Sequence, residues 1–81
     1  MSEMYYLGQI CLFPYDYVPE HFVECDGAIW TLLSHEALFS LLGTRFGGDG
    51  EIMFRLPDLR NLAPHGMKYC ICIDGQYPPR A

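Results

Sequence analysis

The sequence predicts an α+β domain, a β-rich arrangement of short strands and hairpins with one α-helix at about residues 34–42. Three observations lead there. Short apolar runs alternate with Pro, Gly and Asp along most of the chain, the pattern of brief strands joined by turns. Only "SHEALFSLLG" carries the three-to-four-residue apolar spacing of an amphipathic helix. The chain has 81 residues, 51% hydrophobic and 15% aromatic, which is core material for one domain rather than a disordered chain.

Taken in order, Ile10 to Phe13 is a β-prone run stopped by Pro14. Tyr15, Tyr17 and Pro19 mark a loop that the proline stiffens. "HFVECDGAIW" reads as a hairpin: Phe22–Cys25, a turn at Asp26-Gly27, then Ala28–Trp30. The helix follows, with Ser34 as its N-cap and Glu36 in its first turn, where an acid suits the positive end of the dipole. Leu33 and Leu38 stand at the positions of a hydrophobic staple, and Ala37, Leu38, Leu41 and Leu42 form the buried face. Gly43 is expected to adopt the left-handed conformation of a C′ glycine and end the helix. "EIMFRLPDLR" is extended up to a turn at Pro57-Asp58, and "NLAPHGM" is loop. "KYCICID" alternates Tyr69, Ile71 and Ile73 against Cys70 and Cys72, a period-two strand closed by Asp74-Gly75. The tail "QYPPR" is stiff and extended. Phe39, Phe46, Phe54 and Trp30 are expected to build the core with the helix.

A chain of this length lies near the lower limit for stability by burial alone, with a folding free energy on the order of 4–12 kcal/mol. Twelve aromatics (one Trp, six Tyr, five Phe) are more than so small a core hides, so some belong at an interface or a binding surface. The formal charge of −5 argues against nucleic acid and against an anionic membrane, which call for basic patches. Six acids and no Lys or Arg precede Arg45, whereas five bases and four acids follow from Arg45 onward. That split is either an accident of surface charge or a device by which acidic and basic faces of neighbouring copies meet. No apolar run is long enough for a membrane span, and "MSEMYYLGQI" has no basic leader, so synthesis in the cytoplasm without a signal peptide is expected.

The stretch "LLGTRFGGDG" places Gly43, Gly47, Gly48 and Gly50 within eight positions. A phosphate loop needs a Lys and a Ser or Thr after its last glycine, and here Asp49 follows Gly48. The glycines also come after the helix, at the end that repels anions. Architecture is the better reading. Asp49, Glu51 and Asp58 have oxygens that suit calcium but lack an EF-hand pattern, so aspartates bonding their own turns are expected. Cys11, Cys25, Cys70 and Cys72 have no C-x-x-C spacing; Cys70 and Cys72 share one strand face. Buried free thiols, disulfides within or between chains involving Cys11, Cys70 or Cys72, and metal binding all stay open in the sequence. His21, His35 and His65 are scattered, and no strained nucleophile turn accompanies any cysteine. Asp58 and Arg60 are placed to pair across the Pro57 turn. No catalytic, cofactor-binding or metal-binding constellation emerges.

Several segments, in order, resemble the phage tail collar domain, found in phage tail-fibre and collar proteins and in bacterial proteins labelled microcystin-dependent. The pattern is Gly8 and Ile10, Pro19, Cys25-Asp26-Gly27, Leu38-Phe39, Gly43-Thr44, Gly47-Gly48-Asp49-Gly50 and Phe54-x-Leu56-Pro57-Asp58-Leu59-Arg60. The closing "KYCICIDGQYPPR" is similar to the terminal strand of compact members, so the likeness runs roughly over residues 7–80. Two departures stand out. His21-Phe22 replaces a Gly-Trp common in the family, and only a brief loop stands where relatives carry a longer glycine-rich segment after the position of Arg60.

The resemblance implies one tail-collar-like domain over residues 1–81, with an N-terminal arm at 1–7 and a terminal strand and tail at 68–81. Its structural motif is Cys25, Asp26, Gly27, Gly43, Gly47, Gly48, Asp49, Gly50, Pro57, Asp58 and Arg60. It further implies a non-enzymatic, cofactor-free subunit of a virion tail, or of a tail-related extracellular appendage, filament or particle. The expected partners are copies of itself, other tail proteins or a host-surface glycan. A small receptor- or glycan-binding module using Tyr5, Tyr6, Tyr15 and Tyr17 is the alternative.

Overall fold

The computed structural model describes residues 4–79. Glu3 of the acidic N-terminal set and Arg80 of the closing motif lie outside them. The elements run β1 (Ile10–Phe13), β2 (Phe22–Glu24), β3 (Ile29–Thr31), α1 (Glu36–Leu42), β4 (Met53–Arg55) and β5 (Lys68–Cys72). The described residues form two antiparallel sheets and one short helix, an α+β domain.

In the first sheet the order is β1-β5-β2, so the strand latest in sequence lies in the middle. Ile10 faces Ile71 and Cys11 faces Cys70 across β1 and β5, while Phe22 faces Cys72 and Glu24 faces Cys70 across β2 and β5. Period-two alternation in β5 therefore has no polar face. Cys70, Ile71 and Cys72 are all buried, because apolar clusters cover the strand on both sides. Gly8, with φ 82°, introduces β1 through a two-against-one bulge: its N–H bonds Cys72 O at 2.8 Å, and Cys72 N–H returns to Gln9 O at 2.9 Å.

The second sheet pairs β3 with β4, Trp30 opposite Phe54. The expected hairpin at Asp26-Gly27 is thus corrected, since β2 and β3 belong to different sheets. Gly27 does take the positive φ the dipeptide favours, 79°, but the turn carries the chain from one sheet to the other.

Helix α1 begins one residue later than its cap-like serine suggests. Phe39 N–H bonds His35 O at 2.9 Å, making His35 the cap residue, and no side chain caps the end. A preceding turn, His35 N–H to Leu32 O at 3.1 Å, leaves Ser34 exposed and projects Leu33 into solvent at 86% exposure, so the staple with Leu38 does not form. Termination matches expectation in place and in the sign of φ: Gly43 has φ 58° and its N–H bonds Phe39 O at 2.7 Å, but its ψ of −144° lies outside the expected left-handed helical well. Of the expected buried face, Leu38 is buried, Leu41 and Leu42 are half-buried, and Ala37 is exposed. Seven residues of helix depend on packing for their stability.

The main core gathers Leu7, Cys25, Leu38, Phe54, Leu56 and Ile71, with Trp30 and Phe39 packed against it. Phe39 meets Phe54 edge-on, ring centroids 5.5 Å apart. Phe46 is corrected to an exposed position, because it falls in the turns after Gly43 and beyond the reach of the helix face. A second cluster on the other side of the first sheet joins Phe22, Cys70 and Cys72 to Tyr5, Cys11 and Phe13.

Candidate functional site

The motif residues come from three stretches of sequence: the fold brings Cys25, Asp26, Gly27, Pro57 and Asp58 to the seam between the sheets, lays Gly47 to Gly50 against β4, and leaves Gly43 at the end of the helix. Cys25 starts the seam. Its N–H bonds Tyr69 O in β5 at 2.9 Å and its carbonyl accepts Leu59 N–H at 2.9 Å, so one residue joins both halves. The seam continues as Gly27 N–H to Pro57 O (3.2 Å) and Leu56 N–H to Ala28 O (3.0 Å), with Asp26 bridged to Asp58. Asp26 Oδ1 accepts the Ala28 N–H at 3.1 Å and closes the turn. A Cβ at Gly27 would meet Asp58 Cβ at 3.2 Å, tight enough to push that neighbour by a few tenths of an ångström, and φ of 79° disfavours any side chain there.

The glycine loop lies against β4. Arg55 N–H bonds Gly47 O at 3.1 Å and Gly50 N–H bonds Met53 O at 3.1 Å. At Gly48, φ is 99° and a Cβ would stand 2.5 Å from Phe54 Cα and 2.8 Å from Met53 O, so only a bare backbone fits. Asp49 Oδ1 accepts the N–H groups of Glu51, Ile52 and Met53 at 2.9, 3.0 and 3.2 Å. Those bonds hold its carboxyl below the usual range. The loop's own aspartate thus occupies the amides an anion would need.

Pro57 is buried, and beyond it Asp58 and Arg60 pair as expected. Arg60 Nε and Nη2 donate to Asp58 Oδ1 and Oδ2 at 3.0 and 2.8 Å, a two-pronged contact. The guanidinium hydrogen bond, followed by the Arg60 backbone N–H, lowers the Asp58 carboxyl to about 2.

Sequence reasoning missed Arg55. Its Nη1 donates to Gly27 O at 3.0 Å, and its stem covers Gly47, where a Cβ would lie 2.8 Å from Arg55 Cδ. One side chain therefore ties the Cys25-Asp26-Gly27 turn to the glycine loop. The available signal was a lone base inside the apolar "MFRL" strand.

Apart from this seam, the candidate chemical groups are dispersed. His21 Nδ1 lies 3.0 Å from Asp74 Oδ2, the His35 ring sits 4.2 Å from the Trp30 ring, and His65 is exposed in its loop. Among the described residues no three His, Cys, Asp or Glu side chains cluster to hold a metal. A shallow cavity of about 240 Å³ opens at the start of α1, walled by Ser34, His35, Glu36 and Asp74, and no motif residue lines it. All four cysteines are free thiols; Cys25, Cys70 and Cys72 are buried and Cys11 is half-buried. Burial, reinforced by Cys70, Asp26 and Glu24, pushes the Cys25 thiol up to about 12, and burial likewise raises Cys70. Neither is a nucleophile at neutral pH.

The tyrosines divide. Tyr5 packs edge-on to Phe22 at 4.9 Å and is half-buried, so it does not stand among the exposed candidates. Phe13, Tyr15 and Tyr17 instead form a stacked ladder, with centroids 6.0 and 5.2 Å apart and ring planes within 23° and 11°. Tyr17, the outer rung, is 61% exposed.

These features define a small structural module built by backbone packing at a two-sheet seam. The chain belongs to the phage tail collar domain family, a family of phage tail and fibre structural modules, whose pattern it matches over residues 8–64. The matched region includes the Cys25, glycine-loop and Pro57-Asp58 motifs and stops before β5. No curated protein matches the chain. Among the described residues no helix is long and apolar enough to cross a membrane.

Proposed function

We propose that the chain is a non-enzymatic subunit that associates with copies of itself in a phage tail or fibre, or in a tail-derived appendage or filament. The observation that carries this reading is the use of the motif residues. Asp49, Asp58, Arg55 and Arg60 all spend hydrogen bonds on the chain's own loops, while Gly27 and Gly47 lie against the side chains of Asp58 and Arg55 and Gly48 against the backbone of β4. Large apolar side chains meanwhile stay at the surface, including Ile10, Leu12, Ile29, Ile52 and Leu62, as a subunit interface requires. Mass by light scattering and shape by negative-stain microscopy, with and without reductant, test it. Regular oligomers or fibres are expected, and a monomer at high concentration overturns the reading. Loss of assembly on reduction would assign interchain bonds, for which half-buried Cys11 is better placed than buried Cys70 or Cys72.

One observation favours a second reading. The Phe13–Tyr15–Tyr17 ladder presents an exposed aromatic face beside Asp16, a suitable platform for the apolar face of a host-surface sugar. Binding on a glycan array that disappears in Tyr17→Ala would support it.

A further inference from the structure

The geometry points to the outer edge of β1 as the surface through which two copies join, by antiparallel pairing of β1 with β1 of a second copy about a two-fold axis at Cys11. This rests on the self-association reading and gives it a location and a register.

Hydrogen-bond direction sets the register. Gln9 O accepts from Cys72, so Gln9 points into the sheet. Alternation in an antiparallel ladder then directs Cys11 and Phe13 inward as well, and turns the N–H and C=O groups of Ile10 and Leu12 outward. β1 is the first strand of the order β1-β5-β2, and no strand of the described residues pairs with that outer side. A self-pairing strand must place outward residues opposite outward residues. Ile10 opposite Leu12 of the other copy, in both directions, uses every outward group of the strand. Pairing centred on Ile10 would set Leu12 against the bulged Gly8, and pairing centred on Leu12 would set Ile10 against Pro14, which has no N–H.

The side chains agree with this register. Ile10 and Leu12 lie on one face, 40% and 38% exposed, and each meets its apolar counterpart. Stacking two like surfaces of a chain with net charge −5 brings like charges together at most places. From Gln9 to Phe13 there is no charged residue, so this edge meets its own copy without repulsion. Among the other free edges, β2 has three residues and ends in Glu24. β3 also has three, and self-pairing there sets Ile29 against polar Thr31. β1 is the longest free edge and the one with two apolar outward residues. The joined product is one continuous six-stranded sheet, β2-β5-β1-β1-β5-β2. At the axis the two Cys11 residues face each other at a non-hydrogen-bonded site, where Cα atoms approach to about 4.5 Å.

The test is a charge exchange followed by light scattering under reducing conditions. Ile10→Glu or Leu12→Lys alone each buries an unpaired charge and is expected to weaken association at least about tenfold. Combining them sets acid against base across the axis twice and is expected to restore association, while Leu33→Glu, at a side chain already 86% exposed before the helix, leaves it unchanged. Far-UV circular dichroism reports folding of each variant. Oxidation by copper–phenanthroline is expected to give a covalent dimer with the wild type and none with Cys11→Ser. Single variants that stay associated, or a folded double variant that stays monomeric, overturn the β1 register and leave self-association standing. A monomeric wild type overturns both.

Discussion

His21 holds a backbone angle that usually belongs to glycine. Its φ is 74°, the only positive value among the described non-glycine residues. The resemblance puts His21-Phe22 where the collar family often carries Gly-Trp. Phe22 is buried in the second cluster and anchors β2, while His21 holds its positive φ with a side chain attached. Strain of this kind costs about 1 kcal/mol or slightly more, and the contact with Asp74 at a half-exposed site returns about 0–1 kcal/mol. The two nearly cancel. His21→Ala keeps the strain and loses the contact, whereas His21→Gly loses both. Urea denaturation is therefore expected to rank the glycine variant about 1 kcal/mol above the alanine variant, with the wild type between them or level with glycine. Equal stability of the two variants would mean that the angle carries no strain.

At the level of elements, local signals were legible and partnerships were not. β1 was readable because an apolar run meets Pro14, and the helix C-terminus because Gly43 follows Leu42. Asp26-Gly27 foretold a turn correctly, but a dipeptide encodes φ and not the partner strand, which Leu56 to Leu59 supply from the far side of the chain. Ser34 and Phe46 misled for a related reason: a turn before the helix, which contains no Pro or Gly, and another after it, closed by Gly47, rotate them to solvent. The glycine loop was read as architecture. Its role as a sleeve over β4 depended on Phe54 and Arg55, which follow the loop at no recognisable motif spacing. That role separates two glycines with positive φ. Gly66 has φ 74° and nothing within 4 Å of a Cβ, so Gly66→Ala should cost only the strain, about 1 kcal/mol. Gly48→Ala adds collision with the backbone of Phe54 and should cost about 3 kcal/mol or leave the chain unfolded. Thermal melts of the two variants check the difference.

For the whole molecule, acid is the informative stress. Asp58 has a folded-state value of about 2 against about 3.9 in an unfolded chain. A depressed carboxyl contributes stability that is complete above the unfolded value and disappears as pH falls through the folded one. Asp49 acts in the same direction. The denaturation midpoint should hold steady down to about pH 5 and fall between about pH 4 and 2, and Arg60→Gln should flatten part of that fall. A fall of unchanged steepness in that variant would remove Asp58 as its source.

The position of β5 has a further consequence for synthesis. β1 and β2 do not pair with each other; both wait for a strand that is translated after every other element. While the ribosome is still adding residues before Lys68, the first sheet has no middle, and Ile10, Leu12 and Phe22 lack the strand that organises them. Folding is thus tied to the synthesis of β5, and a message cut short before it yields a chain with exposed strands rather than a smaller working module. The order thus acts as a check on completeness, since chains that stop before β5 are left open to chaperones and proteases.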